Sequence, residues 1–223
     1  MITDTGIRFI ADELLTMFKH FEPGKNTLNN PGGNFFYDPW TIMPAYKNSP
    51  LEDFLDQLGP IGEARVNVLK PSESYCAHAD IDDRYHLTLQ AEQSYLIDLR
   101  DQEMYKLEVD NKVFLMNTSR IHTASNFGFK NRIQLVVRKL LNKVTLFSPV
   151  YVTLEATEAP YNLRYLFDHS FSILLNTLNK EKLITDFKHD GRVCSFAIEE
   201  SAMDRLQGCI KNCGFNVNAE FRK

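Results

Sequence analysis

A chain of 223 residues, 43% hydrophobic and with a formal net charge of −4, can build one large domain or a main domain with a small appendage. The acidic balance comes without any long Lys/Arg block, which argues against a dedicated nucleic-acid-binding protein, and no apolar run of about 18 residues offers a membrane span. Four cysteines (Cys76, Cys194, Cys209, Cys213) lack CxxC pairing and the spacing of a disulfide framework, so reduced thiols are expected.

The first 21 residues, MITDTGIRFIADELLTMFKHF, carry acids among apolar positions and read as an amphipathic helix. They lack the basic start, unbroken apolar centre and small-residue cut of a signal peptide, so a cytoplasmic location is expected. Residues 23–39 (PGKNTLNNPGGNFFYDP) are dense in Gly, Pro and Asn and are expected as a loop, with Phe35, Phe36, Tyr37 and Trp40 packed beneath it. A helix follows over residues 50–58: Ser49 suits the N-cap, Pro50 the first position, acids occupy the first turn, and Gly59-Pro60 ends it.

From Ala64 the texture turns to short β-rich runs: ARVNVL, SYCAHAD, YHLTLQ, SYLIDL, MYKLEV, KVFLM and RIQLVVRKL, separated by turn-prone stretches. Alternation sorts Arg84, His86, Thr88 and Gln90 to one face against Tyr85, Leu87 and Leu89. Arg132, Gln134, Val136 and Arg138 likewise oppose Ile133, Leu135 and Val137, and Arg65 and Asn67 oppose Val66 and Val68. Such polar faces are either solvated, the default for an antiparallel sheet, or line the wet pocket of a small barrel or jelly roll. The pocket is favoured here, because the chemistry-bearing residues belong to the same block.

After Pro149 the order becomes βαββαβ, the ferredoxin-like split arrangement, with a hairpin around His189-Asp190-Gly191 and Gly214 as a helix C-cap. The expected division is therefore a mainly β domain with flanking helices over residues 1–147 and a small α+β domain over 148–223, the latter a surface for homodimerisation or substrate-protein docking. On that division, removing the residues after Pro149 should leave metal binding intact. Cys209 and Cys213 lie four apart on an expected helix, but no second pair completes a zinc site.

The chemistry-bearing constellation is His78, Asp80 and His122. Residues two apart on a strand share a face, so His78 and Asp80 can bind one ion together, and His122 completes the set from a distance. Two imidazoles and one carboxylate with open positions are the ligand set of non-haem Fe(II) oxygenases, which need the vacancies for co-substrate and O2. Arg132, ten residues after His122, is a cation placed to hold a dicarboxylate, because a guanidinium can grip both carboxylate oxygens at once. Arg138 shares its strand parity and is the runner-up. His20, His169 and His189 are read as hydrogen-bonded core histidines.

The run ARVNVLKPSESYCAHADIDDRYHLTL, followed by KVFLMNTSRIHTASNFGFKNRIQLVV, resembles the catalytic core of aspartyl/asparaginyl β-hydroxylase-type 2-oxoglutarate oxygenases, which are similar in plan to bacterial proline hydroxylases. The resemblance covers roughly residues 60–140. It implies a double-stranded β-helix (jelly roll, cupin-like) core with His78, Asp80 and His122 as iron ligands and Arg132 on the distal carboxylate of 2-oxoglutarate. It also places Arg84 and His86 at the co-substrate's other end. Some relatives lack the carboxylate ligand; this chain keeps Asp80, which favours hydroxylation over halogenation.

The function expected on this reading is hydroxylation of an amino-acid side chain, free or within a peptide or protein. It is coupled to decarboxylation of 2-oxoglutarate to succinate and CO2 and uses Fe(II) and O2, with ascorbate as a stimulant. Two rivals stand beside it: a non-catalytic metal-bearing jelly-roll binding module, and a nucleobase-modifying oxygenase, which the acidic balance disfavours.

Overall fold

The computed structural model describes residues 1–142, 148–156, 161–190, 193–212 and 217–222. The expected domain boundary, Gly191, Cys213 and Gly214 lie outside them, as does the His169 side chain. In chain order the first part holds β1 (Ile2–Arg8), α1 (Ala11–Phe18), β2 (Gly24–Thr27), β3 (Asn29–Asn30), β4 (Thr41–Ile42), α2 (Pro50–Leu58), β5 (Ile61–Leu69), β6 (Arg84–Gln90), β7 (Ser94–Asp98), β8 (Glu103–Lys106), β9 (Lys112–Met116), β10 (His122–Asn126) and β11 (Arg132–Lys139). The second part holds β12 (Pro149–Ala156), α3 (Tyr161–Lys180), β13 (Ile184–Asp190), β14 (Val193–Glu199), α4 (Met203–Asn212) and β15 (Val217–Arg222). The chain is mostly β, in antiparallel sheets.

A six-stranded sheet in the order β1-β9-β6-β11-β5-β2 carries the first part, with a three-stranded sheet β10-β7-β8 beside it. Its central strand β11 pairs Gln134 with Asn67 on β5 and with Thr88 on β6, so the polar positions of three strands fall in one row. The opposite, apolar face (Ala64, Val66, Val68, Leu87, Leu89, Ile133, Leu135, Val137) packs on Leu14 and Phe18 of α1 and Leu51 and Phe54 of α2. Each fully buried Val, Leu, Ile or Phe among them contributes about 1.5–3 kcal/mol relative to exposure. The polar face is not solvated: Arg65, Asn67, Arg84, His86, Thr88, Arg132 and Gln134 are all buried. This is the pocket reading of the alternation. Leu96 and Ala124 of the small sheet line the same cavity.

In the second part four strands run in the order β13-β14-β12-β15. Val150, Val152, Leu154, Phe196 and Ile198 pack with Leu174, Leu175 and Leu178 of α3 and Leu206 of α4. Two residues of the first part, Phe36 and Ile81, sit in that same core.

Several local expectations need correction. Residues 2–8 form a strand, not the start of a helix: Ile2, Thr3 and Asp4 pair with β9, and Gly6 adopts φ 80°, outside the helical region. Helix begins only at Ala11, whose amide is received by the Asn111 side chain at 2.9 Å. The expected loop over 23–39 contains β2, which gains a partner in β5, and β3, which pairs with β4; tertiary pairing outweighs the local turn composition. SYCAHAD is irregular chain held by isolated bridges, while the unexpected strand β10 carries His122. His20 and His189 are exposed, so neither is a core histidine. The α2 expectation is matched by the structure: Ser49 Oγ accepts from the Leu51 amide at 3.3 Å and Gly59 takes φ 74°.

No helix among the described residues is long and apolar enough to cross a membrane, which says nothing of a β-barrel.

Candidate metal centre

His78 and His122 are 44 residues apart yet directly opposite each other, because their backbones exchange two hydrogen bonds of 3.0 and 2.9 Å as an isolated antiparallel bridge. Cross-strand partners present their side chains side by side, and the two ring centroids lie 4.5 Å apart. Each ring is locked by its inner nitrogen: His78 Nδ1 donates to the Cys76 carbonyl at 2.8 Å and His122 Nδ1 to the Arg120 carbonyl at 2.7 Å. A carbonyl can only accept, so Nδ1 carries a proton, and in the neutral ring Nε2 then keeps its lone pair. The Arg120 side chain is itself fixed, bridging the buried Asp98 at 2.5 Å and Asp101.

Both Nε2 atoms face one oxygen of Asp80, Oδ2, at 3.4 Å from His78 and 4.0 Å from His122. The other oxygen, Oδ1, is held by Arg84 Nη2 at 2.6 Å. Oδ2 is buried and has no hydrogen-bond partner among the described residues. Burial works to raise the Asp80 pKa, but Arg84, foremost among its charged neighbours, outweighs it and holds the carboxylate well below the usual range. His122 is pushed down to about 3, by burial first and then by His78. The three donor atoms lie within 4.8 Å of one another. Two imidazole Nε2 atoms and one buried carboxylate oxygen without a hydrogen-bond partner among the described residues, converging at that spacing, fit a divalent ion.

Asp80 is one end of a chain of alternating charges. Arg84 also reaches Asp82 at 3.3 Å; Asp82 accepts from Arg138 at 2.8 Å; Arg138 reaches Glu63 at 3.3 Å; Glu63 pairs with Arg65 at 2.5 Å. Arg138 also lies over the Phe35 ring, 4.5 Å from its centroid. It is thus spent on structural partners and does not line the cavity, which removes it as a candidate for carboxylate binding.

The cavity, about 250 Å³, is lined by His78, His122, Arg84, His86, Arg132 and Gln134 among others. Arg132 is 1% exposed, its guanidinium carbon 5.3 Å from the Tyr75 ring centroid, yet its Nε and Nη1 have no hydrogen-bond partner among the described residues. The same holds for Gln134 Nε2, Tyr75 Oη, Thr88 Oγ1 and both ring nitrogens of His86. Buried donors left unpaired cost about 1–3 kcal/mol each, more for charged ones, so their gathering on one wall marks a place for a polar ligand. Tyr75 is a site residue that sequence reasoning missed, whereas Gln134 and Asn67 fall on the polar faces expected to line the pocket, without an expected role. The signal for Gln134 and Asn67 is their strand parity with Arg132 and their shared row; Tyr75 lies in irregular chain and gives none. Phe35, Phe36, Tyr37 and Trp40 do not line the cavity, as expected of packing beneath a loop.

His86 stacks on Phe114 (5.2 Å, 10°), and burial above all, then Arg84 and Arg132, holds its pKa well below 6.5. It stays neutral in the folded protein but takes up a proton in the unfolded chain below about pH 6.5. The unfolded state therefore binds more protons in that window, and stability falls as pH drops, by up to about 1.4 kcal/mol per pH unit for this group. In metal-free protein, His86→Gln should shrink the stability difference between pH 7.5 and 5.5, read from urea unfolding, by about 1 kcal/mol. An unchanged difference would mean that His86 is protonated in the fold.

Compared with known proteins, the chain matches no curated protein. Part of it aligns with a crystal structure of CapF with the inhibitor 3-isopropenyl-tropolone, at 17% identity, over 37% of this chain and 25% of that chain. The chain thus spans a quarter of that protein's length, and a TM-score of 0.30 carries no argument about fold or function. Residues 48–140 match the family model for aspartyl/asparaginyl beta-hydroxylase, a stretch that includes β5, β6, β10 and β11, the charge chain and both histidines of the bridge. The match to that family thus takes in His78, Asp80, His122 and Arg132 and leaves the residues after position 140 outside it.

Proposed function

We propose that the protein is an Fe(II)/2-oxoglutarate-dependent dioxygenase that hydroxylates an amino-acid side chain, free or within a peptide or protein. The observation that carries this reading is the cavity wall of buried, unpaired donors, Arg132 Nε and Nη1 with Gln134 Nε2, in the same cavity as the two lone-pair-bearing histidines. His78 and His122 through Nε2 and Asp80 through Oδ2 would hold the ion. Fe(II) at that place supplies oxygen activation coupled to decarboxylation of 2-oxoglutarate to succinate and CO2.

This chain's own residues do the binding and orienting. Arg132 grips the distal carboxylate through its planar fork, which costs no reorganisation because the side chain is already immobilised. Arg84 keeps Asp80 ionised and presents a single oxygen to the ion. His86, neutral and fixed against Phe114, is a contact for the other end of the keto acid, with Arg84 beside it. Lys25 and Arg65 also line the cavity, so its wall is cationic and suits a substrate that carries a carboxylate. The facing sheets support a double-stranded β-helix for the first part, and the β12-α3-β13-β14-α4-β15 order supports a ferredoxin-like second part.

The test is anaerobic addition of Fe(II) and then 2-oxoglutarate, followed by oxygen. The expected result is a visible metal-to-ligand charge-transfer band and, after oxygen, succinate. Iron bound with neither band nor succinate would overturn the reading in favour of a metal-bearing binding module.

A further inference from the structure

The segment that carries Asp80 lies between the two parts of the chain, and its residues alternate between them. Asp80 turns its carboxylate to the two histidines and Arg84, and Asp82, 2% exposed, turns to Arg84 and Arg138. The residues between and after point the other way. Ile81, 1% exposed, is buried in the core of the second part with Leu206 and Cys209, and Asp83 meets Arg205 of α4.

Arg205 spends three donors on this segment. Its Nε donates to the Ile81 carbonyl at 2.9 Å, while Nη1 and Nη2 donate to the two oxygens of Asp83 at 3.2 and 2.5 Å. One turn further along α4, Cys209 Sγ donates to the carbonyl of Asp80 itself at 3.3 Å. A planar guanidinium satisfied at three points fixes both the distance and the tilt of the strip it holds, which a lysine cannot do.

We infer that Arg205 is a positioning residue for the metal ligand Asp80, acting from the second part of the chain by clamping Ile81 and Asp83 in the strip that follows the ligand. The inference rests on the reading of Asp80 as a ligand. Arg84 sets the direction of the Asp80 side chain, whereas the α4 clamp sets where its backbone stands. Both are required, since a ligand must be held to within about 0.5 Å of productive geometry. The second part of the chain is thereby a working component of the centre, and the expectation that metal binding survives its removal no longer follows.

The probe is Co(II) added to metal-free full-length protein, because its visible spectrum reports coordination geometry independently of turnover. Arg205→Ala should weaken Co(II) binding about 10- to 100-fold, the usual effect of losing a partner behind a ligand, and should alter the spectrum. Leu178→Ala, in the same core but outside the clamp, should lower thermal stability without moving Co(II) affinity or spectrum. In an Asp80→Ala background, Arg205→Ala should change Co(II) affinity by less than about twofold, since the route through Asp80 is gone. Wild-type affinity and spectrum in folded Arg205→Ala, or an undiminished effect in the Asp80→Ala background, would overturn the inference. If Arg205→Ala does not fold, Asp83→Asn, which removes only the partner's charge, should weaken Co(II) several-fold, and unchanged binding there would equally overturn it. Failure of the wild-type protein itself to bind Co(II) would strike at the ligand reading instead, and the inference would fall with it.

Discussion

His122→Ala is expected to lose more than about 100-fold in Fe(II) affinity, to show no charge-transfer band with 2-oxoglutarate, and to form no succinate. Changes behind a ligand already cost about 10–100-fold, and this one removes a ligand atom. The His78 and Asp80 donors remain, but two donors hold the ion far more weakly than three. The loss is not a folding effect. His122 is neutral in the fold, its pKa down at about 3, so its removal strands no charge. What it gives up structurally is one hydrogen bond to the Arg120 carbonyl, worth about 1 kcal/mol, while the backbone pairing with residue 78 needs no side chain. Unfolding of the metal-free variant by urea should therefore resemble wild type to within about 2 kcal/mol, including a small cavity cost. A variant that folds and keeps the band would place the iron elsewhere.

Arg132→Met is expected to separate co-substrate binding from both metal binding and stability. Truncating one side of a buried, hydrogen-bonded charge pair costs about 2–5 kcal/mol, so the KM for 2-oxoglutarate should rise roughly 30- to several-thousand-fold. Fe(II) affinity without the keto acid should not change, since Arg132 is not among the three clustered donors. The stability of the ligand-free protein should hold or rise. A buried cation with two unpaired N–H groups is a burden on the empty fold, and replacing such groups by apolar side chains of similar volume is often neutral or stabilising by about 1–4 kcal/mol. KM is read from succinate formation and stability from urea unfolding. An unchanged KM would remove Arg132 from the keto acid's binding site; Arg138 could not take over, because its partners are Asp82, Glu63 and the Phe35 ring.

The alternation along RYHLTLQ and RIQLVVR is legible because the side-chain period of a strand is a local property, and the residue pattern by itself sorts Arg84, His86 and Arg132 to one face. What lies on that face is decided by the flanking sheet, which the alternation alone does not determine. The triad is legible by residue type, but not the means by which it forms. His78 and Asp80 do not share a regular strand; they are brought together by the bridge to His122, whose own strand β10, HTASN, has little local β character. The first eight residues mislead for the converse reason: their apolar positions suit either period, and only pairing with β9 selects the strand. Ile173 of α3, which lines the cavity, and Arg205 have no local signal at all, being distant in sequence from the site residues they touch or face.

The placement of Ile81 limits how this sequence can drift over evolutionary time. An isoleucine between two aspartates is an unusual residue for the surface of a free-standing first part; here it is 1% exposed, in a core built mostly by residues more than sixty positions later. A descendant that shed the second half would need a polar residue at position 81 and another cation for Asp83, acquired together, because either change alone leaves an apolar side chain or a charge without its partner. The two parts thus constrain each other's sequence at positions 81, 83 and 205.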